Sequence, residues 1–423
     1  MREMKDSGVE WIGEIPADWK LSKIKQHFLI SSGTTPKSDE PEYWDGDIVW
    51  ITPADFKTDD VFVSKGHRNL SQEGYRVSSL QLVPAGNIIF SKRAPIGQVV
   101  INAIDLCTNQ GCLTVVLNDD SDVRFYRYVM SIATEEFELA GSGTTFKEIS
   151  ATSFGNILLP LTSKQEQTKC ADYLDAKCSK IDEIIEKQLS IIEKLKEYKF
   201  SIITEAVTKG INPDVELKDS TIDMCEQIPV HWSISQNRYL FSLRDEKNYK
   251  PLEEVRLLSL YTDLGVFPHG EQEERGNKAV KAEGYKVVYE NDIVVNIILA
   301  WMGAIGRSAY DGVTSPAYDI YKPNENVCSR YYHYLYRTKP FSAECYKYGR
   351  GIMAMRWRTY SSEFKSIKVP VPPYIEQCQI ADYLDSKCEM LDKTITDRNK
   401  AIDKLQEYKK SLIYEVVTGK KEV

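Results

Sequence analysis

One stretch of this chain occurs twice, and the duplication constrains the fold more than any other feature. Residues 166–208 read EQTKCADYLDAKCSKIDEIIEKQLSIIEKLKEYKFSIITEAVT, and residues 376–418 read EQCQIADYLDSKCEMLDKTITDRNKAIDKLQEYKKSLIYEVVT. The copies align without a gap at an offset of 210 and share 22 of 43 positions. Neither contains Gly or Pro, and apolar residues recur at alternating steps of four and three, the spacing of a helical seam. In the first copy the seam is Leu174, Cys178, Ile181, Ile185, Gln188, Ile192, Leu195, Lys199, Ile202 and Ala206. In the second it is Leu384, Cys388, Leu391, Ile395, Arg398, Ile402, Leu405, Lys409, Leu412 and Val416. Polar residues interrupt both seams at the same two places, as register-fixing positions do in a helix pair. A helix of about 43 residues rising 1.5 Å per residue is a rod of roughly 65 Å, far beyond the usual globular helix. A seam that long needs a partner, and each copy is the obvious partner of the other.

The repeat reaches beyond the helices. Lys5, Asp6, Ser7, Ile15, Pro16 and Trp19 match Lys218, Asp219, Ser220, Ile228, Pro229 and Trp232 at a constant offset of 213. The chain is therefore one unit written twice: a globular domain at 1–160, a helix at 161–210, a second domain at 211–372 and a second helix at 373–423. The stretch GINPDVELKDS reads as the linker between them. Inside the domains, short β-branched runs at 48–51, 87–90, 98–101, 113–117, 255–260 and 292–299 predict strands, and 123–139 and 330–348 carry helical patterns. The expected class is α+β, two similar mixed domains with a curved sheet, each followed by a long helix. Ala94-Pro95-Ile96-Gly97 resembles Ala304-Ile305-Gly306, a trace of common ancestry inside domains that otherwise diverge.

Composition narrows the function. A chain of 423 residues with 42% hydrophobic content suits two or three globular domains. No apolar run spans a membrane; 293–305 is cut by Asn296 and Gly303 and reads as a buried strand. The charged start MREMKDSGVEW lacks a signal core, which predicts a cytoplasmic protein. Nine cysteines without a C-x-x-C pair predict reduced thiols, with Cys178 and Cys388 as small core residues. His27, His67, His231, His269 and His333 show no metal-ligand spacing, and no nucleotide-binding G-x-x-x-x-G-K-[ST] occurs. Val371-Pro372-Pro373-Tyr374 resembles the Asn-Pro-Pro-Tyr motif of adenine methyltransferases but has Val where the Asn is needed, so it reads as the Pro-rich start of the second helix. Pro213-Asp214 with Glu216-x-Lys218 superficially resembles a nuclease motif, but its carboxylates are too close in sequence to come from separate strands.

Net charge is −8, yet its distribution is uneven. Residues 1–160 hold 15 cations against 22 carboxylates, a net −7. Residues 337–368 hold eight cations against two carboxylates, a local +6 of the kind that meets phosphates.

GVEWIGEIPADW, YWDGDIVWITPADF, SKRAPIGQVVI followed by TNQG, GSGTTF before ILLP, and EQ-x-x-x-x-ADYLD opening each helix resemble the specificity subunits of type I restriction-modification systems along the full length. In the second domain WMGAIG and TSPAY stand where the first has APIG and TNQG. The resemblance implies that each domain reads one half of a split target on double-stranded DNA. It implies too that the helices pair antiparallel as a ruler for the gap, an arrangement that also follows from setting two equal units about a two-fold axis. Two methyltransferase subunits would dock on the helices, and restriction subunits would join through the complex. S-adenosylmethionine, ATP and magnesium would belong to those partners, leaving this chain without cofactor, metal, catalytic residue or membrane contact. Half-sites on one duplex face lie about a helical turn or a multiple apart, which suits a rigid spacer.

Candidate contacts in the second domain are Lys347, Tyr348, Arg350, Arg356, Trp357 and Arg358, with Gly349 and Gly351 permitting close backbone approach. In the first domain the equivalent loop, Gly141-Ser142-Gly143-Thr144-Thr145-Phe146-Lys147, offers hydroxyls, amides and one cation, and Lys92, Arg93, Asn109 and Gln110 add groups that read base edges. The acidic balance of this domain implies a small DNA surface or help from a partner's basic one. On the residues alone two other readings stay open, a coiled-coil adaptor that binds only protein and an enzyme in its own right.

Overall fold

Two uninterrupted helices carry the repeat, Lys164–Lys209 and Tyr374–Val417, of 46 and 44 residues. The computed structural model describes residues 2–57, 60–143, 147–262, 264–270, 282–351 and 357–423. It divides into two compact units, one of Met1–Gln188 with Lys400–Val423 and the other of Leu189–Asn399, so each unit holds part of both helices.

In the first unit Leu174, Cys178 and Ile181 share a core with Leu412, Ile413 and Val416, and Ile185 and Leu405 pack at its edge. The helices of this pair run antiparallel: Cys170 lies against the Val416 carbonyl, and twelve residues on, Asp182 takes the Lys409 ammonium at 2.6 Å. In the second unit Ala206, Val207 and Ile202 pack with Ile380, Ala381 and Leu384, and Lys199 meets Asp392 at 2.6 Å, again antiparallel. Under the offset of 210, Asp182 corresponds to Asp392 and Lys199 to Lys409. The same ion pair is thus made once in each unit with the roles of the copies exchanged. Two of the polar interruptions of the seam are these lysines. None of the apolar seam residues is exposed; Ile192, Leu195, Cys388, Leu391, Ile395 and Ile402 are buried or half-buried like the rest.

Each helix is tied to its domain by the motif that opens it. Gln167 and Gln377 are 1% exposed. The Gln167 amide accepts from the Asp122 N–H at 2.9 Å and donates to the Thr162 carbonyl at 2.7 Å. Gln377 accepts from the Cys328 N–H and donates to the Pro372 carbonyl, both at 2.9 Å. The two aspartates of ADYLD hold one arginine in each copy: Arg124 with Asp172 and Asp175, and Arg330 with Asp382 and Asp385, all at 2.8 Å. Tyr128 and Tyr334 donate to Asp175 and Asp385 at 2.8 and 2.6 Å. Each helix ends at a glycine in the left-handed region, Gly210 at φ +81° and Gly419 at φ +71°, the usual helix stop. The matched tryptophans explain the opening segments: Trp19 and Trp232 are fully buried and meet Phe125 and Tyr331 edge to face.

The first unit contains a five-stranded sheet in the order Leu29–Ser32, Cys112–Val116, Ile88–Lys92, Ile96–Asn102, Phe62–Val63, antiparallel except for the last pair. A three-stranded sheet orders Cys107–Thr108, Trp44–Ile51 and Arg68–Leu70. The second unit has a four-stranded antiparallel sheet ordered Phe241–Arg244, Tyr318–Pro323, Ile293–Asn296, Ile305–Arg307. In both units a short strand near the start pairs with the strand that leads into the long helix: Lys20–Lys23 with Leu158–Leu161, and Ser233–Gln236 with Lys368–Val371. The expected strands at 48–51, 87–90, 98–101 and 113–117 are present with shifted ends.

Three expectations are corrected. The 293–305 run is a hairpin rather than one strand, because the Asn296 side chain accepts from the Ile298 and Leu299 N–H groups and turns the chain. The helical pattern at 330–348 splits into Ser329–Tyr336 and Lys339–Tyr348, where Thr338 caps the second piece and Pro340 opens it. The pattern at 123–139 likewise breaks at Ala133 into Val123–Ile132 and Thr134–Leu139. Among the described residues no helix is long and apolar enough to cross a membrane.

Candidate nucleic-acid interface

The backbone brings the first domain's expected contact residues to one end of the five-stranded sheet. Lys92, the last residue of its strand, donates its N–H to the Gly111 carbonyl at 3.0 Å and accepts at its own carbonyl from the Ile149 N–H at 3.0 Å. That pair of bonds draws the 109–111 turn and the 142–149 loop to the same place. Asn109 spends its side-chain oxygen on the Gly111 N–H at 2.8 Å, so it shapes the turn rather than reaching outward. Gln110 is exposed and accepts from the Thr35 hydroxyl. Ser142 and Glu148 exchange both backbone bonds, at 2.9 and 3.0 Å, closing the loop between them. Lys147 is exposed, whereas Thr144 and Thr145 lie outside the described residues.

Glu148, which the sequence reading passed over, is the centre of this cluster. Its two oxygens meet Lys92 Nζ at 2.9 Å and Arg93 Nη1 at 3.3 Å. The hydrogen-bonded Lys92 ammonium, with Arg93 behind it, holds the Glu148 carboxyl below its usual range. An open groove of about 600 Å³ runs beside it, lined by Arg93, Ala94, Pro95, Ile96, Glu138, Lys147 and Glu148. Ala94 sits at φ +55°, a strained conformation for a residue with a side chain. No local pattern could have flagged Glu148, because its partners lie 55 or more residues away.

The second domain builds the same platform from different side chains. Arg350 and Arg358 exchange backbone bonds at 2.9 Å each way, and the Thr359 N–H donates to the Ile297 carbonyl at 2.9 Å, as Ile149 does to Lys92. Trp357 stacks on Tyr346 with centroids 4.9 Å apart and planes 21° apart, and its indole N–H donates to the Tyr346 carbonyl. Trp301 meets Tyr346 edge on at 5.9 Å. A side chain at Gly349 would overlap the Trp357 indole, so this glycine serves the tryptophan rather than an approaching phosphate. Arg350 is 77% exposed and reaches Glu363 at 2.9 Å. Lys347 is paired with Asp223, which holds its ammonium in the charged form and takes one cation out of the basic patch. Tyr348 is half-buried against the core, not presented to a ligand. Arg356 lies outside the described residues. Trp357, Arg350 and Arg358 are therefore the expected contacts that gather at one place, with Tyr346 and Trp301 as neighbours the sequence reading missed.

The remaining candidates have ordinary partners. His67 pairs with Asp55, His231 with Glu376 at 2.7 Å, and His269 with Ser259 at 2.8 Å. His333 accepts from the Arg307 N–H at 3.2 Å, and His27 lies edge on to Phe28. Among the described residues no group of His, Cys, Asp and Glu is arranged to hold a metal. Pro372 and Pro373 lend their carbonyls to Gln377 at the helix start, in keeping with a structural role for that motif.

Residues 16–194 match the family model described as the type I restriction modification DNA specificity domain. The match takes in most of the first domain and the first part of the long helix that follows it. A relative in Methanocaldococcus jannaschii, the type I restriction enzyme MjaIX specificity subunit, is 36% identical over 190 residues, 44% of this chain and 43% of the relative. The putative MjaX specificity subunit of the same organism is 30% identical over 193 residues, 44% of this chain and 42% of that relative. The matched stretch thus spans less than half the length of these curated relatives. At the level of fold, a chain from a structure on complex assembly and conformational transition of the type I R-M system superposes with a TM-score of 0.71 at 12% identity, covering 95% of this chain and 98% of its own. The HsdS subunit from Thermoanaerobacter tengcongensis gives 0.53 at 13% identity, over 96% and 98%. The α+β specificity-subunit fold, with two mixed domains and long helices, is therefore the fold of this chain.

Proposed function

We propose that this chain is the DNA-reading, non-catalytic subunit of a type I restriction-modification complex. Residues 1–160 and 211–372 are its two recognition domains, each reading one half of a bipartite target, and 161–210 and 373–423 are the spacer helices that set the gap. The observation that carries this reading is the loop platform built twice on the same backbone bonds with different side chains, Ser142 and Glu148 in one copy and Arg350 and Arg358 in the other. One scaffold with two chemistries is what reading two unlike half-sites requires. Methyltransferase subunits dock along the helices, a reading supported by Phe200, Met390 and the equivalent Tyr198 and Tyr408, all more than half exposed. S-adenosylmethionine, ATP and magnesium act in the partner subunits, and the complex works in the cytoplasm.

Single-molecule methylation sequencing of cells expressing this chain with a type I methyltransferase partner tests the reading. The expected result is a new split adenine-methylated motif, one half of which changes when residues 211–372 are exchanged for another domain. A stable complex that creates no motif refutes it in favour of a protein-binding adaptor. Inserting four residues after both Gln188 and Arg398 tests the ruler separately: the seams stay nearly in phase while each helix lengthens by about 6 Å, roughly two base-pair steps. An unchanged gap refutes the ruler.

A further inference from the structure

In the pattern of their backbone bonds the two platforms give Glu148 and Arg358 equivalent places. Each closes its loop through a two-way backbone pair, with Ser142 in one case and Arg350 in the other. Each is followed by a residue whose N–H bonds back to the end of a central hairpin, Ile149 to Lys92 and Thr359 to Ile297. The scaffold is the same, but the side chain it presents changes from a hydrogen-bond acceptor to a donor.

A carboxylate on a DNA-reading surface normally faces repulsion from phosphates. Here Lys92 and Arg93 offset it and leave the cluster at a net +1. Among the described residues the two cations engage one oxygen each, at 2.9 and 3.3 Å, and a carboxylate oxygen has two acceptor directions. They also fix the carboxylate's orientation, and its side chain remains 37% exposed beside the open groove. Among base edges in the major groove, the group that calls for a carboxylate acceptor is the 4-amino group of cytosine, while a guanidinium suits guanine.

We infer that Glu148 is a specificity-determining residue that accepts a hydrogen bond from the 4-amino group of a cytosine in the half-site read by the first domain. The inference rests on the DNA-reading function proposed above. Lys92 and Arg93 act as positioning residues for it, in addition to any phosphate contact of their own.

The test compares the methylated motif of the full complex carrying the unsubstituted chain, Glu148→Gln and Glu148→Arg. Glutamine keeps the shape of the side chain but favours adenine, and arginine copies the chemistry of the second domain. The expected result is a C·G pair in the first half of the original motif that is lost or replaced at that one position, with roughly tenfold weaker preference for the original base. The second half of the motif stays as it was. A motif without a C·G pair in the first half overturns the inference, as does an unchanged motif in Glu148→Gln. Uniform loss of methylation at every site in Glu148→Gln also overturns it, since that is the effect of a structural clamp alone. If the unsubstituted complex makes no motif, the DNA-reading function itself fails.

Discussion

Replacing Gln377 with Met isolates the contribution of one buried amide. The side chains are similar in volume, so the substitution removes hydrogen bonds without opening a large cavity. Two backbone groups lose their partner: the Cys328 N–H and the Pro372 C=O, both now held at 2.9 Å by a side chain that is 1% exposed. Leaving a buried polar group unsatisfied costs about 1 to 3 kcal/mol, so the pair should cost about 2 to 6 kcal/mol. Because the Leu189–Asn399 unit holds all three residues, the loss should be local to it. Hydrogen exchange resolves this better than one melting curve, since a chain of two units need not unfold in one step. The expected outcome is faster exchange of the Cys328 amide and of the Ser329–Tyr336 helix it precedes, with Met1–Gln188 amides unaffected. Gln167→Met should mirror this in the other unit, and the two costs should add. A loss below about 1 kcal/mol with Cys328 protection intact would refute the reasoning.

Three other outcomes follow from the structure. Burial first, then Arg337 and Arg307, pushes the His333 imidazole down to about 3. Its unfolded value is about 6.5, so the unfolded chain binds the extra proton between these values; stability is full above pH 6.5 and falls as pH drops, by about 2 kcal/mol at pH 5, a slope that His333→Asn should remove in urea titrations. Gly349→Ala drives a methyl group into the Trp357 indole and toward the Cys345 carbonyl, 2.9 Å from the new carbon. It should part the Tyr346–Trp357 stack at about 1 to 3 kcal/mol and abolish reading of the second half-site; unchanged tryptophan fluorescence would count against this. Breaking the reciprocal pair with Lys409→Ala or Lys199→Ala should cost less than about 1 kcal/mol each, because these lysines are partly solvated, and the effect should shrink in high salt.

The helices were fully legible in the sequence, because a seam of alternating four and three steps admits one kind of structure and its repetition names the partner. Strand positions were legible where a β-branched run ended at a turn residue, and failed at 292–299, where Asn296 folds its own side chain over the backbone. The interface was legible only in part. Arg350, Trp357 and Arg358 could be picked from a dense basic stretch, but Lys347 and Tyr348 come from the same stretch and do other work. Lys347 is paired with Asp223, 124 residues away, and Tyr348 turns toward the core. Glu148 was passed over for the same reason: its role depends on side chains that only the folded sheet brings near.

The way each domain is mounted has a bearing on how such a chain can change over time. In both copies an arginine and a tyrosine of the domain meet the same aspartates of the long helix, and a glutamine of the helix accepts from the domain backbone: Arg124, Tyr128 and Gln167 in the first, Arg330, Tyr334 and Gln377 in the second. The joint is a common fitting, and it lies apart in sequence from the loops at 142–149 and 350–359. A gene segment that arrives by recombination with this fitting intact can be seated at once, whatever its loops recognise. Under the function proposed above, exchange of whole segments gives new target combinations in single steps, and the helices need no retuning to receive them.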